Sequence, residues 1–176
     1  VAARTAVQPG STFKMVVATA AMKKGLSPDT KLRDGGYVMV GNRPFNCLIW
    51  TRSHSTHGLV DLPHALEVSC NYYFYDIGTG MDYYTGRSLG YEIDMNDIMD
   101  TAMQYGLGKA TGIEITETVA EVPSAERKMK ATKSSLDYHL RSNKKDYFKK
   151  SVLDDEELLE EYIAEIVSWT EENPSR

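Results

Sequence analysis

Hydrophobic residues near the start of the chain form one run that predicts a buried helix. Residues 15–22 are apolar on nearly every side, and a helix without a polar face is normally buried. Two lysines and Gly25 follow this run, which is typical of a helix end. Before it, a Gln-Pro-Gly turn precedes Ser11 and Thr12, and either hydroxyl can cap the helix.

Alternation and turn residues predict a small hairpin and three further helices in the middle of the chain. The hairpin has strands at 37–40 and 45–50, joined by a Gly-Asn turn. The helices run from Asp61 to about residue 68, begin within 72–77, and span 96–105. The last of them is expected to pack through Ile98, Met99, Ala102 and Met103.

Charge dominates the last third of the chain, in two blocks of opposite sign. The stretch 127–150 carries nine basic residues, and 154–172 carries nine acidic residues and no basic one. Within the acidic block an apolar stripe recurs at helical spacing: Leu159, Tyr162, Ile163, Ile166 and Val167. The pattern predicts an acidic helix that ends before Pro174. We interpret the basic block as a solvated surface, paired in part with that helix; binding to an anionic polymer or lipid headgroup is the alternative.

The overall composition is that of one soluble globular domain or a piece of a larger one. The 176 residues are 41% hydrophobic and 26% charged, which excludes collagen, low-complexity disorder and a membrane bundle. The net charge of −5 argues against nucleic acid as a partner. The longest apolar run, residues 15–22, is far shorter than the ~20 residues that span a bilayer. Because the chain starts at Val1 without a targeting pattern, we expect a longer parent protein that supplies any membrane anchor.

Neither the cysteines nor the histidines predict a metal site or a cofactor. Cys47 and Cys70 are too few for a disulfide framework and lack the paired spacing of a zinc site. His54 and His57 could ligate a metal with Cys47 or Asp61, but no third ligand has convincing spacing. We therefore interpret the histidines as polar loop residues and predict neither metal nor cofactor.

The first candidate for catalysis is a serine that lies three residues before a lysine. Ser11 and Lys14, within Pro-Gly-Ser-Thr-Phe-Lys, share one face of the predicted first helix. A neutral lysine can act as the base for a serine nucleophile, and burial and the positive helix end both lower its pKa. The helix N-terminus also offers N–H groups to an oxyanion. The alternative is a capping serine beside a surface lysine.

A second candidate is a Ser-Cys-Asn tripeptide between two predicted helices. The Ser69 hydroxyl can relay a proton and the Asn71 amide can hold a substrate carbonyl, if a tight turn directs both into one cleft. Taken alone, the tripeptide is equally a helix-capping turn. The aromatic run 72–75 that follows is interpreted as core packing rather than as a stacking platform.

Together, Ser-x-x-Lys and Ser-x-Asn resemble the first two motifs of penicillin-binding proteins and serine β-lactamases. Three stretches carry this resemblance, within about residues 5–118. They are 8–21, similar to the nucleophile helix of high-molecular-weight, class B-like transpeptidases; 57–75, similar to their second-motif segment; and 105–115, similar to their Gly-rich stretch.

The resemblance implies a mainly α fold, the helical lobe of a transpeptidase/serine β-lactamase-like α+β domain with a small β-hairpin. Residues 1–122 would form this lobe, and 123–176 a charged helical insertion or extension. The family's third motif, Lys-Thr-Gly on a later strand, has no counterpart. The stretch 109–112, Lys-Ala-Thr-Gly, has one residue too many. We therefore expect the central sheet to be largely absent and the isolated chain to be inactive, since that strand supplies an oxyanion donor.

The resemblance also implies a role for each motif residue. Ser11 would attack a D-Ala–D-Ala stem peptide, Lys14 would take its proton, Ser69 would pass the proton to the leaving amine, and Asn71 would hold the substrate amide. The amine of a second stem peptide would then resolve the acyl-enzyme and cross-link peptidoglycan, on the outer face of the bacterial cytoplasmic membrane. β-Lactam antibiotics would acylate Ser11. A β-lactamase or β-lactam sensor, and a non-catalytic interaction module, are the alternatives.

Overall fold

A computed structural model of the chain describes residues 8–120, 122 and 124–172. The chain divides after Val122 into two compact units, each with its own hydrophobic cluster. Among the described residues, none of the helices has the length and apolar character needed to cross a lipid bilayer.

The first unit consists of helices and three small antiparallel sheets, as the mainly α prediction requires. Its helices are α1 (Lys14–Lys24), α2 (Leu48–Ser53), α3 (Leu62–Glu67), α4 (Asn71–Thr79) and α5 (Met95–Gln104). Its strands are β1 (Leu32–Arg33), β2 (Tyr37–Val40), β3 (Arg43–Asn46), β4 (Leu59–Val60), β5 (Met81–Asp82) and β6 (Arg87–Ser88). β1 pairs with β4, β2 with β3, and β5 with β6. α1 packs against α4 and α5.

α1 begins after a 3₁₀ turn, Gly10–Phe13, rather than after a capping side chain. Thr12 Oγ1 donates to the Pro9 carbonyl at 2.7 Å, and no side chain caps the turn. The predicted capping by Ser11 or Thr12 is therefore wrong, and the Ser11 hydroxyl is left to contact another element. The predicted helix end is confirmed, since Gly25 adopts the left-handed conformation with φ of 115°.

Burial of α1 is confined to its small residues and one valine. Val16, Ala18, Ala20 and Ala21 are buried, whereas Met15 is 61% exposed. The expectation of a helix buried on every side is correct for the alanine-rich side and wrong for the other, which the neighbouring helices leave uncovered.

The hairpin forms, but its second strand is shorter and earlier than predicted. β2 pairs with β3 in the register Val38↔Phe45 and Val40↔Arg43, across a turn that starts at Gly41. Because this turn has two residues, the return strand begins at once, and α2 occupies most of the remaining predicted strand.

α3 and α4 follow the predicted pattern and carry much of the core. The Asp61 side chain caps α3 by accepting from the His64 N–H at 3.1 Å. The aromatic start of α4 is buried, as expected. The core of the unit comprises Ala18, Ala21, Leu26, Leu32, Val38, Cys47, Val60, Leu62, Ala65, Cys70, Tyr72, Tyr73, Phe74 and Ile77.

α5 also lies where the sequence predicts it, and it begins with a capping box between Asp94 and Asp97. Of its predicted inner face, Met99 and Ala102 are buried, Ile98 is half-buried, and Met103 is 42% exposed. The segment that follows α5, up to residue 120, has no helix or strand.

The second unit is entirely helical in its described part. Its helices are α6 (Ala125–Ser142), α7 (Lys144–Tyr147), α8 (Lys150–Leu153) and α9 (Glu156–Glu172). Leu140, Leu159 and Ile163 are buried at the contact of α6 with α9, while Tyr162 of the predicted stripe is 43% exposed. Arg141 of α6 forms ion pairs with Glu160 of α9, as the predicted pairing of the two charge blocks requires. The predicted helix stop at Pro174 lies outside the described residues.

Candidate active site

A tight junction between α3 and α4 positions the Ser-Cys-Asn tripeptide. α3 ends in a Schellman motif, in which Ser69 N–H donates to Leu66 O at 3.2 Å and Cys70 N–H to Ala65 O at 2.9 Å. The motif requires a left-handed residue, and Ser69 fills that position with φ of 53°. A non-glycine residue there is strained, a feature that concentrates at functional sites. Asn71 then opens α4 directly after the capping residue Cys70.

This junction brings the four predicted site residues into one hydrogen-bonded group. Lys14 Nζ donates to Ser69 O at 2.6 Å, to Ser69 Oγ at 2.8 Å and to Asn71 Oδ1 at 2.7 Å. Ser69 Oγ lies 3.1 Å from Ser11 Oγ. Since Ser69 and Asn71 are more than fifty residues from Lys14 along the chain, tertiary folding alone creates the group. Among these described contacts, the Ser69 hydroxyl links Ser11 to the lysine.

Burial makes Lys14 easier to deprotonate, against two opposing influences. Burial lowers the pKa of the Lys14 ammonium, while negative charge on Cys47 or Cys70 would raise it. The Phe74 ring, 5.4 Å from Nζ, also favours the ammonium. The net direction is downward, so deprotonation is easier than for a lysine in water.

A second polar cluster lies directly beneath the Ser-Cys-Asn junction. It consists of Asp34, Cys47, His57 and Cys70, whose ligand-type atoms all lie within 4.8 Å of one another. The shortest of these separations is 2.8 Å, between His57 Nδ1 and Asp34 Oδ2. Cys47 Sγ lies 3.6 Å from His57 Nδ1 and 4.0 Å from Cys70 Sγ, and Cys70 Sγ lies 3.5 Å from Asp34 Oδ2. Asp34, Cys47 and Cys70 are buried, and His57 is half-buried.

Hydrogen bonds stabilise the charged form of the cluster's carboxylate. Burial alone would raise the pKa of Asp34, but donation from the backbone N–H groups of His57 and Gly36 and from the His57 ring outweighs it and lowers that pKa. The two sulfur atoms compete for one proton, which lowers the pKa of Cys47 and raises that of Cys70.

Such a donor set could hold a divalent cation. Thiolate, imidazole and carboxylate are the ligands of zinc, at bond lengths of about 2.0–2.3 Å. A tetrahedral ion with those bonds keeps its donor atoms roughly 3.3–3.8 Å apart. Three separations here, 3.5, 3.6 and 4.0 Å, are near that spacing, whereas the hydrogen-bonded His57 Nδ1 and Asp34 Oδ2 are closer together, at 2.8 Å.

Sequence reasoning missed this cluster because its members come from separate elements. Asp34 follows β1, Cys47 precedes α2, His57 precedes β4, and Cys70 precedes α4. A joint site of His54 and His57, which the sequence analysis weighed and set aside, does not form either, since the His54 ring lies against Trp50 at 5.5 Å. The sequence analysis did consider Cys47 together with His57, which are two of the four members. Asp34 and Cys70 were missing from that set.

The Lys-Ala-Thr-Gly stretch lies in the irregular segment after α5, not on a strand. Thr111 Oγ1 donates to Glu117 Oε2 at 2.8 Å, and the Gly112 N–H donates to Glu117 Oε1 at 3.1 Å. These groups are therefore committed to a local turn around a carboxylate.

Comparison with known proteins agrees with the motif reading. The family described as the penicillin-binding protein transpeptidase domain matches residues 1–138. The peptidoglycan D,D-transpeptidase MrdA of Haemophilus influenzae is 31% identical over 134 residues, covering 75% of this chain and 18% of that protein. Penicillin-binding protein 1A of Neisseria lactamica is 32% identical over 117 residues, covering 62% of this chain and 14% of that protein. The chain thus spans less than a fifth of these relatives.

Solved structures share the fold of the same region. Penicillin-binding protein PBP2 from Helicobacter pylori superimposes with a TM-score of 0.60 at 25% identity, covering 73% of this chain and 22% of that one. PBP2 from Pseudomonas aeruginosa gives a TM-score of 0.59 at 24% identity, covering 74% of this chain and 27% of that one. With a family match over most of its length and a hydrogen-bonded Ser–Lys–Ser–Asn group, the chain belongs to the transpeptidase-domain family of the penicillin-binding proteins.

Proposed function

We propose that the chain carries the acylating residues of a bacterial peptidoglycan D,D-transpeptidase, with Ser11 as the nucleophile. The observation that supports this most strongly is the contact of Ser69 Oγ with both Ser11 Oγ and Lys14 Nζ. A serine hydroxyl needs an adjacent base, and this contact supplies a route to one.

The same contacts provide a path for the nucleophile's proton once Lys14 is neutral. With a protonated Lys14, all three ammonium hydrogens have acceptors in Ser69 and Asn71. A neutral amine has a lone pair, so the Ser69 hydroxyl can turn and donate to Lys14 while accepting from Ser11. Both hydrogen bonds then reverse their direction, and the proton of Ser11 reaches the lysine through Ser69.

The other half of the reaction uses the same groups in the opposite direction. Lys14 returns the proton through Ser69 to the leaving amine of a D-Ala–D-Ala stem peptide, and Asn71 holds the substrate amide. The amine of a second stem peptide then attacks the ester on Ser11, which restores the hydroxyl and forms the cross-link. A β-lactam acylates Ser11 in the same way, and its ester persists.

We propose that the isolated chain lacks the means to complete this reaction. Residues 1–122 are the helical lobe and 123–176 a charged helical insertion or extension, with the Lys-Thr-Gly strand supplied elsewhere in the parent. Losing one oxyanion donor costs about 2.7–4 kcal/mol of transition-state stabilisation in enzymes generally. The parent acts on the outer face of the cytoplasmic membrane, where its substrate lies.

Peptidoglycan cross-linking in cells tests the proposal. Cells that depend on the full-length parent are given wild-type protein or its Ser11→Ala variant, and cross-linked muropeptides are quantified. We expect the variant to lose cross-linking, with Ser27→Ala as a matched exposed control that retains it. Full cross-linking by Ser11→Ala would instead favour a non-catalytic interaction module.

The isolated chain provides a second measurement. We expect no rapid, stoichiometric labelling of its Ser11 by a fluorescent penicillin, in contrast to the parent. Rapid labelling would contradict the proposed incompleteness, and turnover of nitrocefin by the parent would favour a β-lactamase.

A further inference from the structure

An aromatic cleft lies in the first unit, outside the contacts used in the proposed acylation. It opens between the start of β2 and the turn that joins β5 to β6, and its volume is about 420 Å³. Its lining includes Gly35, Tyr37, Met39, Tyr72, Tyr83 and Tyr84. Sites that bind small molecules have volumes of about 300–1,000 Å³, so this cleft is large enough for a ligand.

Three tyrosine rings in the lining of the cleft are open to solvent. Tyr37 is 43% exposed, Tyr83 is 37% exposed and Tyr84 is 56% exposed. Two contacts fix the tyrosines of the turn, since the Tyr83 N–H donates to Asp76 Oδ1 at 3.1 Å and the Arg33 guanidinium lies 5.6 Å from the centre of the Tyr84 ring. The rings are therefore held in place before a ligand arrives, which lowers the entropy cost of binding.

The inner wall of the cleft contains a buried phenol that lacks a hydrogen-bond partner. Tyr72 is only 3% exposed, and its Oη forms no hydrogen bond with any of the described residues. By contrast, Tyr73, Tyr75 and Tyr91 each donate to a backbone carbonyl, at 2.9, 3.4 and 2.9 Å. A buried donor without a partner costs stability, and a ligand with an acceptor oxygen would satisfy it.

The surroundings of this phenol favour a neutral ligand. A Cβ atom at position 35 would lie 2.9 Å from Tyr72 Oη, so Gly35 leaves the space that the hydroxyl needs. Burial raises the pKa of Tyr72, and the nearby carboxylates of Asp76, Asp82 and Asp34 raise it further, so the phenol keeps its proton and can donate. The same carboxylates would repel an anionic ligand.

We propose that this cleft binds the sugar chain of peptidoglycan. A pyranose ring has a face of C–H groups that stacks on tyrosine, and its hydroxyl and acetamido oxygens accept from a phenol. A peptide segment would instead pair with a sheet edge or fill apolar pockets. The inference rests on the proposed function, in which peptidoglycan is the substrate.

The cleft and the acylating group share the start of α4. Asn71 Oδ1 accepts from Lys14 Nζ, and Tyr72 is the next residue of the helix. A sugar chain held in the cleft would keep its stem peptides near Ser11 and so raise their effective concentration there.

Titration calorimetry of the full-length parent with chitotetraose tests the proposal. This tetramer of N-acetylglucosamine is a neutral sugar chain without a stem peptide, so its binding does not require reaction at Ser11. We expect Tyr84→Ala to weaken binding about tenfold, because it removes a stacking ring. Tyr72→Phe should weaken binding about fivefold, because it removes only the hydroxyl.

Two tyrosine variants outside the cleft are the matched controls. Tyr138→Ala, at a 73% exposed position of the second unit, should bind chitotetraose as wild type does. Tyr73→Phe loses the hydrogen bond to Thr30 O, so it should lower thermal stability but not affinity. Tyr72→Phe should do the reverse, whereas a merely structural role of Tyr72 would lower thermal stability and leave affinity unchanged.

A wild-type parent that does not bind chitotetraose would overturn the proposal, as would binding that neither cleft variant weakens. If the parent self-associates and Tyr84→Ala abolishes only that association, the cleft belongs to a second copy instead. Labelling of Ser11 by fluorescent penicillin without chitotetraose binding would contradict this inference alone. Chitotetraose binding without such labelling would contradict the proposed function.

Discussion

The two units of the chain use polar residues in opposite ways. In the first unit, polar side chains are drawn into the structure from distant points, as in the contacts of Lys14 with Ser69 and Asn71 and in the buried cluster around Asp34. In the second unit, polar residues stay at the surface, and Arg141 pairs with Asp137 and Glu160 beside an apolar contact. Buried polar groups cost stability unless their partners are in place, so the first unit depends on its polar contacts in a way that the second does not.

The largest expected effect comes from removing the amine in the first unit. Lys14→Met in the full-length parent should lower the rate of acylation by a fluorescent penicillin by about 10²–10⁴-fold, the usual contribution of a general base. The rate is measured by quenching the reaction at set times and quantifying the labelled protein by in-gel fluorescence. Lys23→Met, at the exposed end of the same helix, is the matched control and should acylate normally. An unchanged acylation rate in Lys14→Met would contradict the role of Lys14 as the base, and with it the functional difference between the two units.

In the second unit, the largest effect should come from the apolar contact instead. Ile163 is 1% exposed, and truncation of such a residue to alanine costs about 2–5 kcal/mol. Hydrogen exchange should therefore accelerate in α9 of Ile163→Ala but not in α1. Tyr162→Ala, at an exposed neighbouring position, should change little. Equal acceleration in α1 would show that the units do not unfold separately.

A buried carboxyl should make the first unit's stability depend on pH. Asp76 is fully buried, its Oδ2 has no hydrogen-bond partner among the described residues, and burial raises its pKa to about 8, against a smaller lowering by the Tyr83 N–H. The folded state thus binds this proton more tightly than the unfolded chain does. The resulting stability is present below about pH 4 and is lost as the pH rises through about 8.

Replacement of that carboxyl by an amide tests the sign of this dependence. The free energy of unfolding of Asp76→Asn, relative to that of wild type, should be higher at pH 8 than at pH 5. Urea unfolding at both pH values measures it. Asp100→Asn, at an exposed position, serves as the control. If wild type instead gained stability relative to Asp76→Asn between pH 5 and pH 8, the raised pKa of Asp76 would be contradicted.

The smallest effect concerns the strained backbone at Ser69. Because φ is 53°, Ser69→Gly should be about 1 kcal/mol more stable than Ser69→Ala, although both lose the hydroxyl and should acylate slowly in the parent. Thermal unfolding compares the two variants. Equal stability would indicate that the left-handed conformation stores no strain.

The sequence predicted the local patterns of both units better than the pairing of segments. The capping of α3 by Asp61, the buried start of α4 and the stripe of α9 are local patterns, and each was predicted within a few residues. The return strand was placed too late because a two-residue turn fixes pairing at Val40↔Arg43, which hydrophobicity alone does not reveal.

The candidate site was predictable only in part. The residue types and spacing identified Ser11, Lys14, Ser69 and Asn71 as candidates, but not the route through Ser69, which depends on a left-handed residue after α3. The Asp34, Cys47, His57 and Cys70 cluster has no short-range spacing at all. Its members meet only after four segments have packed together.

The site of covalent penicillin attachment in the full-length parent tests the central claim most directly. After brief exposure to benzylpenicillin, the protein is digested and the modified peptide is sequenced by mass spectrometry. The account predicts a single penicilloyl ester on Ser11. An adduct on Ser69 or on any other residue, with Ser11 unmodified, would contradict it.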